Sequence, residues 1–511
     1  MAIKRYIASA DTTITNAYKP NLTTRATGSN MGAADTLETF FISGQAFTGS
    51  TEVSRILIKF PVADISADRT AGNIPGKDAV SFYLRMYNAE HALTLPKDFT
   101  LSVRPITSDW QEGDGLDMES YKHLTHDLYE GSNWNSAKSA SAGVTSWTTA
   151  GGDYEVDSHA KSQTTTFAKG TEDLKLDITD LVEEWIASSR SNYGVGVHMT
   201  GSYETGSKTY YTKKFFARSS EYFFKRPCIE ARWDSTKKDD RGNFYLSSST
   251  APEMDNVNTL YLYNHVRGQL KNIPSIGDSA IYVTMHTGTT APESEAVELK
   301  DYIPNAGTSG NFHTFATGGW VETGIYTASV VVTGALTGSN DYYYDVWSSG
   351  DGGDTFFTGS AITPKKFDQA AHNPNSRYVS KITNLQSAYS SEETSRLRLY
   401  VRNKDWSPTI HSVASKTAEN LIIEDAYYKI YRVVDNLEVI SYGTGSTTNA
   451  APQATGSTES HTRLSFDVSG NYFDLDMRLF EPGYAYGIKF SYYNNGYYHE
   501  QPETFKFRVE K

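Results

Sequence analysis

The chain has 511 residues, room for three or four domains at about 100 to 200 residues each. Its 60 acidic residues outnumber 47 basic ones, and the net charge of −13 argues against nucleic acid as a partner. A hydrophobic fraction of 38% with 21% charged residues excludes a disordered chain, and 35 Tyr and 23 Phe beside a single Cys predict an all-β protein without disulfides.

The opening MAIKRYIASADTTITNAY lacks the apolar stretch of a signal peptide, and no run of about 18 apolar residues follows to span a membrane. These features predict a chain made and kept in a cytoplasm, reaching the outside only by a route other than secretion. Going along the chain, RILIKF places Ile56, Ile58 and Phe60 on one face. SFYLRMY does the same with Phe82, Leu84 and Met86, and LKLDI with Leu174, Leu176 and Ile178. This period of two predicts half-buried antiparallel strands. DLVEEWIASSR (180–190) breaks the pattern. With Asp180 as N-cap, Glu183 completing a capping box, and Leu181, Val182, Trp185 and Ile186 on one face, it predicts a helix of about three turns. Pro227 suits the start of an edge strand running through Ile229, Ala231 and Trp233. RLRLYVR (396–402) and TFKFRV (504–509) resume the alternation.

Two stretches read as linkers: STKKDDRGN (235–243), charged and without apolar residues, and TPKKFDQAAHNPNSR (363–377), with Pro364 and Pro374. They divide the chain into 1–236, 241–365 and 375–511, a tandem of antiparallel β-sandwiches whose second member is expected to be Ig-like. No repeat, heptad or collagen-like period is present, against a solenoid or fibrous shaft.

The first third carries an ordered set of segments: IASADTTITNAY, SNMGAADTLETFFI, SRILIKFPVADI, VSFYLRMYNAEH, SVRPITSDWQEG and SNWNSA. LKLDITDLVEEWIASSRSNYGVGVHM and KKFFARSSEYFFKRPCIEARW complete it. In order and spacing, residues 5–234 resemble the DNRLRE-type carbohydrate-binding-module-like domain. The resemblance implies a jelly-roll sandwich with one short helix. Trp185 would then plug one end, and Asn192-Tyr193-Gly194 would supply a turn needing positive φ. Arg55 and Arg218 would pair with carboxylates across a strand face. The opening MAIKRYIASAD followed by this domain also resembles virion structural proteins of marine T4-like tailed phages.

Catalytic signatures are scarce. H-E-x-x-H and G-x-S-x-G are absent, and Cys228, after Pro227, reads as a small apolar filler. His123 and His126, with Asp127 beside them, could share a helical face but read as an exposed loop. GSYETGSK (201–208) nears a phosphate-binding loop, yet Ser207 holds the required lysine position and strands flank it, so it reads as a hairpin loop. Acidic residues crowd two loops: Asp109, Glu112, Asp114, Asp117 and Glu119, then Asp351 and Asp354. They are weak calcium candidates, since hard cations take several such oxygens. Carboxylate pairs of the kind a glycosidase needs are Glu424 with Asp425, and Asp474 with Asp476. In FDLDMRLF the latter two read as the wet side of a strand opposite Phe473, Leu475, Met477 and Leu479.

Tyrosines cluster at Tyr342, Tyr343 and Tyr344, and at Tyr492, Tyr493, Tyr497 and Tyr498 around the turn Asn494-Asn495-Gly496. Consecutive tyrosines in a strand cannot all face one core, so some should be exposed or meet another chain. The expected function is that of a non-enzymatic phage virion structural protein. It would sit on the particle exterior as a neck, tail, baseplate or capsid accessory, or a short fibre. It would be assembled in the host cytoplasm, present in many copies or as a homo-oligomer, and dock on other virion proteins. The alternative is a carbohydrate-binding adhesin for host-surface polysaccharide; a polysaccharide-degrading enzyme ranks third. No membrane and no nucleic acid are expected as partners.

Overall fold

The computed structural model describes residues 2–43, 50–91, 96–123, 131–140, 143–204, 210–303, 307–333, 342–350, 353–365, 376–405, 420–443, 460–494 and 496–511. His126, Asp127, Asp351, Asn495, residues 205–208 and most of 363–377 lie outside these. The described chain is all-β, as its composition predicts, and is built of tandem antiparallel sandwiches around separate cores.

The first module comprises β1 (Ile3–Ile7), β2 (Ala10–Thr15), β3 (Thr36–Ser43), β4 (Thr51–Lys59), α1 (Val62–Thr70), β5 (Ser81–Met86) and β6 (Phe99–Pro105). It continues with β7 (Ser136–Ala140), β8 (Gly143–Ser146), β9 (Gln163–Phe167), β10 (Leu174–Asp177), α2 (Thr179–Ile186) and β11 (Val195–Met199). The one-turn α3 (Gly201–Glu204), β12 (Tyr210–Phe216) and β13 (Cys228–Arg232) close it. A four-stranded sheet, β1-β13-β5-β10, packs on a seven-stranded one, β12-β3-β4-β11-β6-β9 with β2 also on β4. Phe82, Leu84 and Met86 face Ile56 and Ile58 in the core between them. β4 is central and buried on both faces: Leu57, on its far side, joins Ile14, Ile106, Trp110 and Trp147 in a second, smaller core.

Three local expectations change. The helix is α2, eight residues long, and it stops at Ala187 because Ser188 takes φ +56°. Its N-cap is Ile178, without a side-chain cap; Asp177 Oδ1 receives the Thr179 amide at 2.9 Å, while Asp180 is exposed and pairs with Lys161 at 2.8 Å. Glu183 does not turn back to cap the helix: Arg69 of α1 holds it through two bonds of 2.8 and 2.6 Å. α1 itself was not expected from sequence, where only RILIKF was read, as a strand; Pro61, just beyond it, occupies the N-cap. Pro227 does not open an edge strand, since β13 lies inside its sheet between β1 and β5. Gly194 is required where it stands: at φ +82° a Cβ would meet Ile58 O at 1.9 Å.

The second module holds β14 (Asn258–Tyr263), β15 (His265–Val266), β16 (Gln269–Leu270), β17 (Ile281–Gly288), β18 (Leu299–Ile303) and β19 (Gly307–His313). β20 (Ala316–Glu322), β21 (Ile325–Val330), β22 (Tyr342–Ser348) and β23 (Thr355–Thr358) follow. β20 serves two partners, pairing through Ala316–Gly318 with β17 and through Gly319–Glu322 with β21. Its hinge is Gly318, where a Cβ would meet Thr327 O at 2.4 Å.

The third module holds β24 (Tyr378–Ile382), β25 (Ala388–Ser390), β26 (Thr394–Asn403), β27 (Ala426–Arg432) and β28 (Glu438–Ile440). It ends with β29 (Ser465–Asp467), β30 (Gly470–Asp476), β31 (Ala485–Asn494), β32 (Tyr497–Glu500) and β33 (Phe505–Glu510). Sheet β24-β26-β30-β29 packs on β25-β33-β31-β27-β28, with β32 on β31. Ile3, from the start of the chain, contributes to this third core.

The segment 235–243 is not a free linker. The Asp239 amide donates to Phe466 O and the Phe466 amide to Lys237 O, each at 3.0 Å, so it runs parallel to β29. Asp239 and Asn243 are buried. Lys237, Asp239, Asp240 and Arg241 reach this environment because each finds a partner, which the absence of apolar side chains conceals.

Candidate functional site

A cleft of about 920 Å³ opens where the three modules meet. Trp233 and the end of α1 form one wall, Tyr261, Tyr263 and Trp320 a second, and Arg396, Arg398 and Tyr472 the third. Strand alternation puts them there. In NTLYLY, Leu260 and Leu262 point into the second core, which leaves Tyr261 and Tyr263 outward, stacked at 6.3 Å. In RLRLYVR, Leu397, Leu399 and Val401 point inward and the arginines outward.

Register then pairs the charges. Arg396 lies opposite Asp474 and binds it with two bonds of 2.8 and 3.0 Å. Arg398 binds Asp467 at 3.0 and 2.9 Å. Both guanidiniums sit over the Tyr472 ring, 4.4 and 5.4 Å from its centre. Burial pushes the Asp474 carboxyl up, but the Arg396 hydrogen bonds and charge outweigh it, so its pKa lies below the usual range. Burial raises Tyr261 to about 12 and lifts Tyr263 further, helped by Tyr472. Asp474 therefore stays ionised, and Tyr261 and Tyr263 stay neutral, at neutral pH. Trp320 remains 41% exposed, anchored by Nε1–H donating to Asn272 Oδ1 at 3.1 Å. The cleft thus offers aromatic faces and saturated Arg–carboxylate pairs. That is equipment for stacking and hydrogen bonding rather than for proton transfer.

The segment 235–243 fixes the cleft's floor. Arg241 bridges Asp239 (2.8 Å) and Asp345, and also donates to Tyr261 O at 2.5 Å. The Thr259 amide donates to Asp240 Oδ2 at 2.6 Å, and Asn243 reaches Glu424 at 2.7 Å. Lys237 pairs with Glu322 across to the second module.

The residues singled out from sequence fall as follows. Asp109 is held between Lys59 and Lys138, at 2.8 and 2.6 Å. Arg218 clamps Glu112 at 2.9 and 2.7 Å. Asp114 is buried, and Asp117 receives the amides of Glu119 and Tyr121. The structure does not bring these four together. Among the described residues, no three His, Cys, Asp or Glu side chains group closely enough to hold a metal ion. Asp354 receives no clustered partner; its amide donates to Ser349 Oγ. Gly201–Glu204 forms a helical turn rather than a loop, and Glu204 pairs with Arg55 at 2.7 Å. Cys228 is buried, and burial pushes its thiol up to about 11.

Of the carboxylate pairs, Glu424 is taken by Asn243 and Asp425 by Arg463. Asp476 is not on a wet face. Its strand ends there, and its side chain is buried capping the turn Met477–Leu479 and bonded to Arg478 at 2.7 Å.

The tyrosine clusters are largely internal. Tyr343 and Tyr344 are both buried and Tyr342 is half-buried, because both faces of β22 are covered within the chain. Tyr492 is buried, bonded to Ser380 at 2.6 Å and edge-on to Tyr378. Tyr493 and Tyr498 are half-buried and pack together at 5.0 Å, with Tyr498 also against Tyr427. Tyr497 stands 65% exposed.

Fold and cleft define a class: an all-β chain of three sandwich modules docked around a common aromatic cleft. No family model matches this chain, and no curated protein matches it. Among solved structures it is similar to a marsupial T cell receptor at 10% identity over 50% of this chain and 68% of that one, with a TM-score of 0.14, too low to carry any argument.

Proposed function

We propose that this chain is a non-enzymatic bacteriophage virion structural protein carried on the particle exterior, at the neck, tail, baseplate or capsid or in a short fibre. In this reading it is made in the host cytoplasm, incorporated in many copies, and works through docking surfaces toward other virion proteins. The observation that carries the reading is the way its charged chemistry is spent. Each carboxylate pair that could have served catalysis is engaged by an arginine, an asparagine or a backbone amide, and the buried ion pairs of 235–243 tie modules to one another. The resemblance of residues 5–234 to a domain of phage virion proteins points the same way. Mass spectrometry of purified particles tests it: the chain should co-purify with virions at fixed stoichiometry. Its presence in infected-cell lysate but never in particles would overturn the reading.

The cleft favours a second reading, a carbohydrate-binding adhesin for host-surface polysaccharide. Trp320, Tyr261 and Tyr263 offer ring faces to a sugar, with Arg–carboxylate pairs alongside. A glycan array should use the full chain, since the cleft draws on all three modules. Binding lost on Trp320→Ala would support this reading, and no binding to host envelope extracts would remove it.

A further inference from the structure

The outer face of the β1-β13-β5-β10 sheet carries an unbalanced charge cluster. In register, Arg5 lies beside Glu230, Ile7 beside Cys228, and Cys228 beside Arg85; Arg232 is two residues on from Glu230 along β13. Alternation therefore sends Arg5, Arg85, Arg232 and Glu230 to the same side. Three guanidiniums converge on one carboxylate. Arg5 Nε donates to Glu230 Oε2 at 2.7 Å, and Arg232 donates twice to Oε1, at 2.7 and 2.5 Å. Arg85 reaches Oε1 only at 3.5 Å. Arg5 spends a further N–H on Val439 O of the third module, at 2.9 Å.

This leaves two positive charges without a counter-charge in a buried place: Glu230 is 2% and Arg232 1% exposed. Two N–H groups, Arg85 Nε and Arg232 Nη1, are buried with no hydrogen-bond partner. A guanidinium cannot shed its proton to escape, as a buried lysine can. The neighbours cannot supply the charge either, because burial raises both the Cys228 thiol, to about 11, and the Tyr87 phenol. Water would satisfy the N–H groups but not the charge, and buried charge without compensation is what folded chains avoid. Beside the cluster, a cavity of about 580 Å³ lies between the first and third modules. Arg5, Cys228 and Ile7 line it, as do the Asp476–Arg478 pair and Arg226, whose guanidinium has no carboxylate partner among the described residues; Arg85 and Arg232 are not part of the lining.

We propose that Arg5, Arg85 and Arg232 form a binding site for a small oxyanion, phosphate or sulfate, with Arg5 facing this cavity at the junction of the first and third modules and Arg85 and Arg232 closing the site from within the sheet's outer face. The arginine forks suit the geometry of such an anion, and Glu230 keeps them in place without neutralising them. The site is independent of the virion reading and of the aromatic cleft.

The test is calorimetric titration of the full chain with sodium phosphate and sodium sulfate, against chloride at matched ionic strength. One saturable site per chain is expected, with a thermal midpoint that climbs with sulfate but not with chloride. Arg85→Gln leaves Glu230 with Arg5 and Arg232, and should weaken the affinity about tenfold to a hundredfold, the worth of one charge-assisted hydrogen bond. A surface control, Lys161→Gln, should bind as the parent does. Absence of saturable binding to the parent chain, or unchanged affinity in folded Arg85→Gln, would overturn the site. Should Arg85→Gln fail to fold, crystals of the parent chain soaked in selenate decide. A selenium peak within hydrogen-bond distance of Arg85 and Arg232 supports the site, and water alone there refutes it.

Discussion

Arg241 is the residue through which the segment 235–243 acts, and replacing it with Met isolates its charge. In the native chain Asp345 is 0% exposed and its oxygens are shared between Arg241 and the Trp347 indole N–H, the latter at 2.6 Å. Burial pushes the Arg241 pKa down, yet Asp345 and Asp239 more than offset this and leave it raised, so the guanidinium keeps its charge. Arg241→Met keeps much of the stem but leaves the Asp345 carboxylate buried with one neutral donor. Breaking a buried pair from one side costs about 3 to 5 kcal/mol, against about 0 to 1 for an exposed pair. Asp345→Asn, added to Arg241→Met, removes the orphaned charge at constant shape and should recover most of that loss. Constant shape matters, because a Cβ on the neighbouring Gly359 would already lie 1.9 Å from Asp345 Oδ1. Urea unfolding followed by tryptophan fluorescence reads the effect, with Trp347 beside the break. A loss below about 1 kcal/mol for the single variant, or a double variant no better than the single, would refute the reasoning.

Trp185 is buried between α2 and the first core, so Trp185→Ala should cost about 3 to 5 kcal/mol in the same assay; a change within about 0.5 would contradict its packing. Asp11 carries a pH signature. Burial raises its carboxyl from the ordinary 3.8 to about 7, opposed by the Arg218 amide and reinforced by Glu112. The folded chain therefore holds a proton that the unfolded chain has lost across that window, and stability falls as pH rises through it, by up to about 4 kcal/mol at about 1.4 per pH unit. Asp11→Asn should gain on the parent from pH 4 to pH 8, and a constant difference between the two chains would exclude this residue as the cause. Limited proteolysis of the native chain should spare 235–243, and an early cut there would contradict its hydrogen bonding to β29.

Alternation made the strands legible: Ile56, Ile58, Phe82, Leu84 and Met86 are all core residues because a half-buried strand must sort its side chains by face. The same rule, applied to NTLYLY, marks Tyr261 and Tyr263 as one outward face. It cannot say what that face meets, since the cleft is made by docking distant modules. Charged residues were where sequence reasoning failed. Segment 235–243 looked like a linker because it has nothing apolar to bury, yet Asp239 is buried and Asp240 and Arg241 are half-buried, each with a partner. Lys213, in YYTKKFF, is fully buried; its Nζ donates to Asn88 Oδ1, Gly170 O and Glu172 O at 2.7 to 2.8 Å, and burial lowers its pKa to about 8. Composition records a charge but not whether a fold supplies its partners. The helix α1 was missed for a different reason: Val62 and Ile65 are its only buried residues, too few to register as a helical period.

The tyrosine hairpin shows how far the structure narrows a surface proposal. Four tyrosines flank its turn, but Tyr492 belongs to the third core and Tyr498 leans on Tyr427 and Tyr493. The aromatic area left for another molecule is that of Tyr497, with the rims of Tyr493 and Tyr498. In the virion reading, this is where a neighbouring protein would seat. Tyr497→Ser removes exposed ring without touching the core, so the thermal midpoint should stay within about 2 °C, as a surface change of about 0.5 kcal/mol or less allows. Incorporation into particles should nevertheless fall, because a well-covered tyrosine at the centre of an interface can be worth about 2 kcal/mol or more. The comparison is internal: Tyr492→Phe, which deletes only the buried hydroxyl bonded to Ser380, should lower the midpoint and leave incorporation of the folded fraction unchanged. Equal incorporation of Tyr497→Ser and the parent chain would confine all four tyrosines to the packing of their own module.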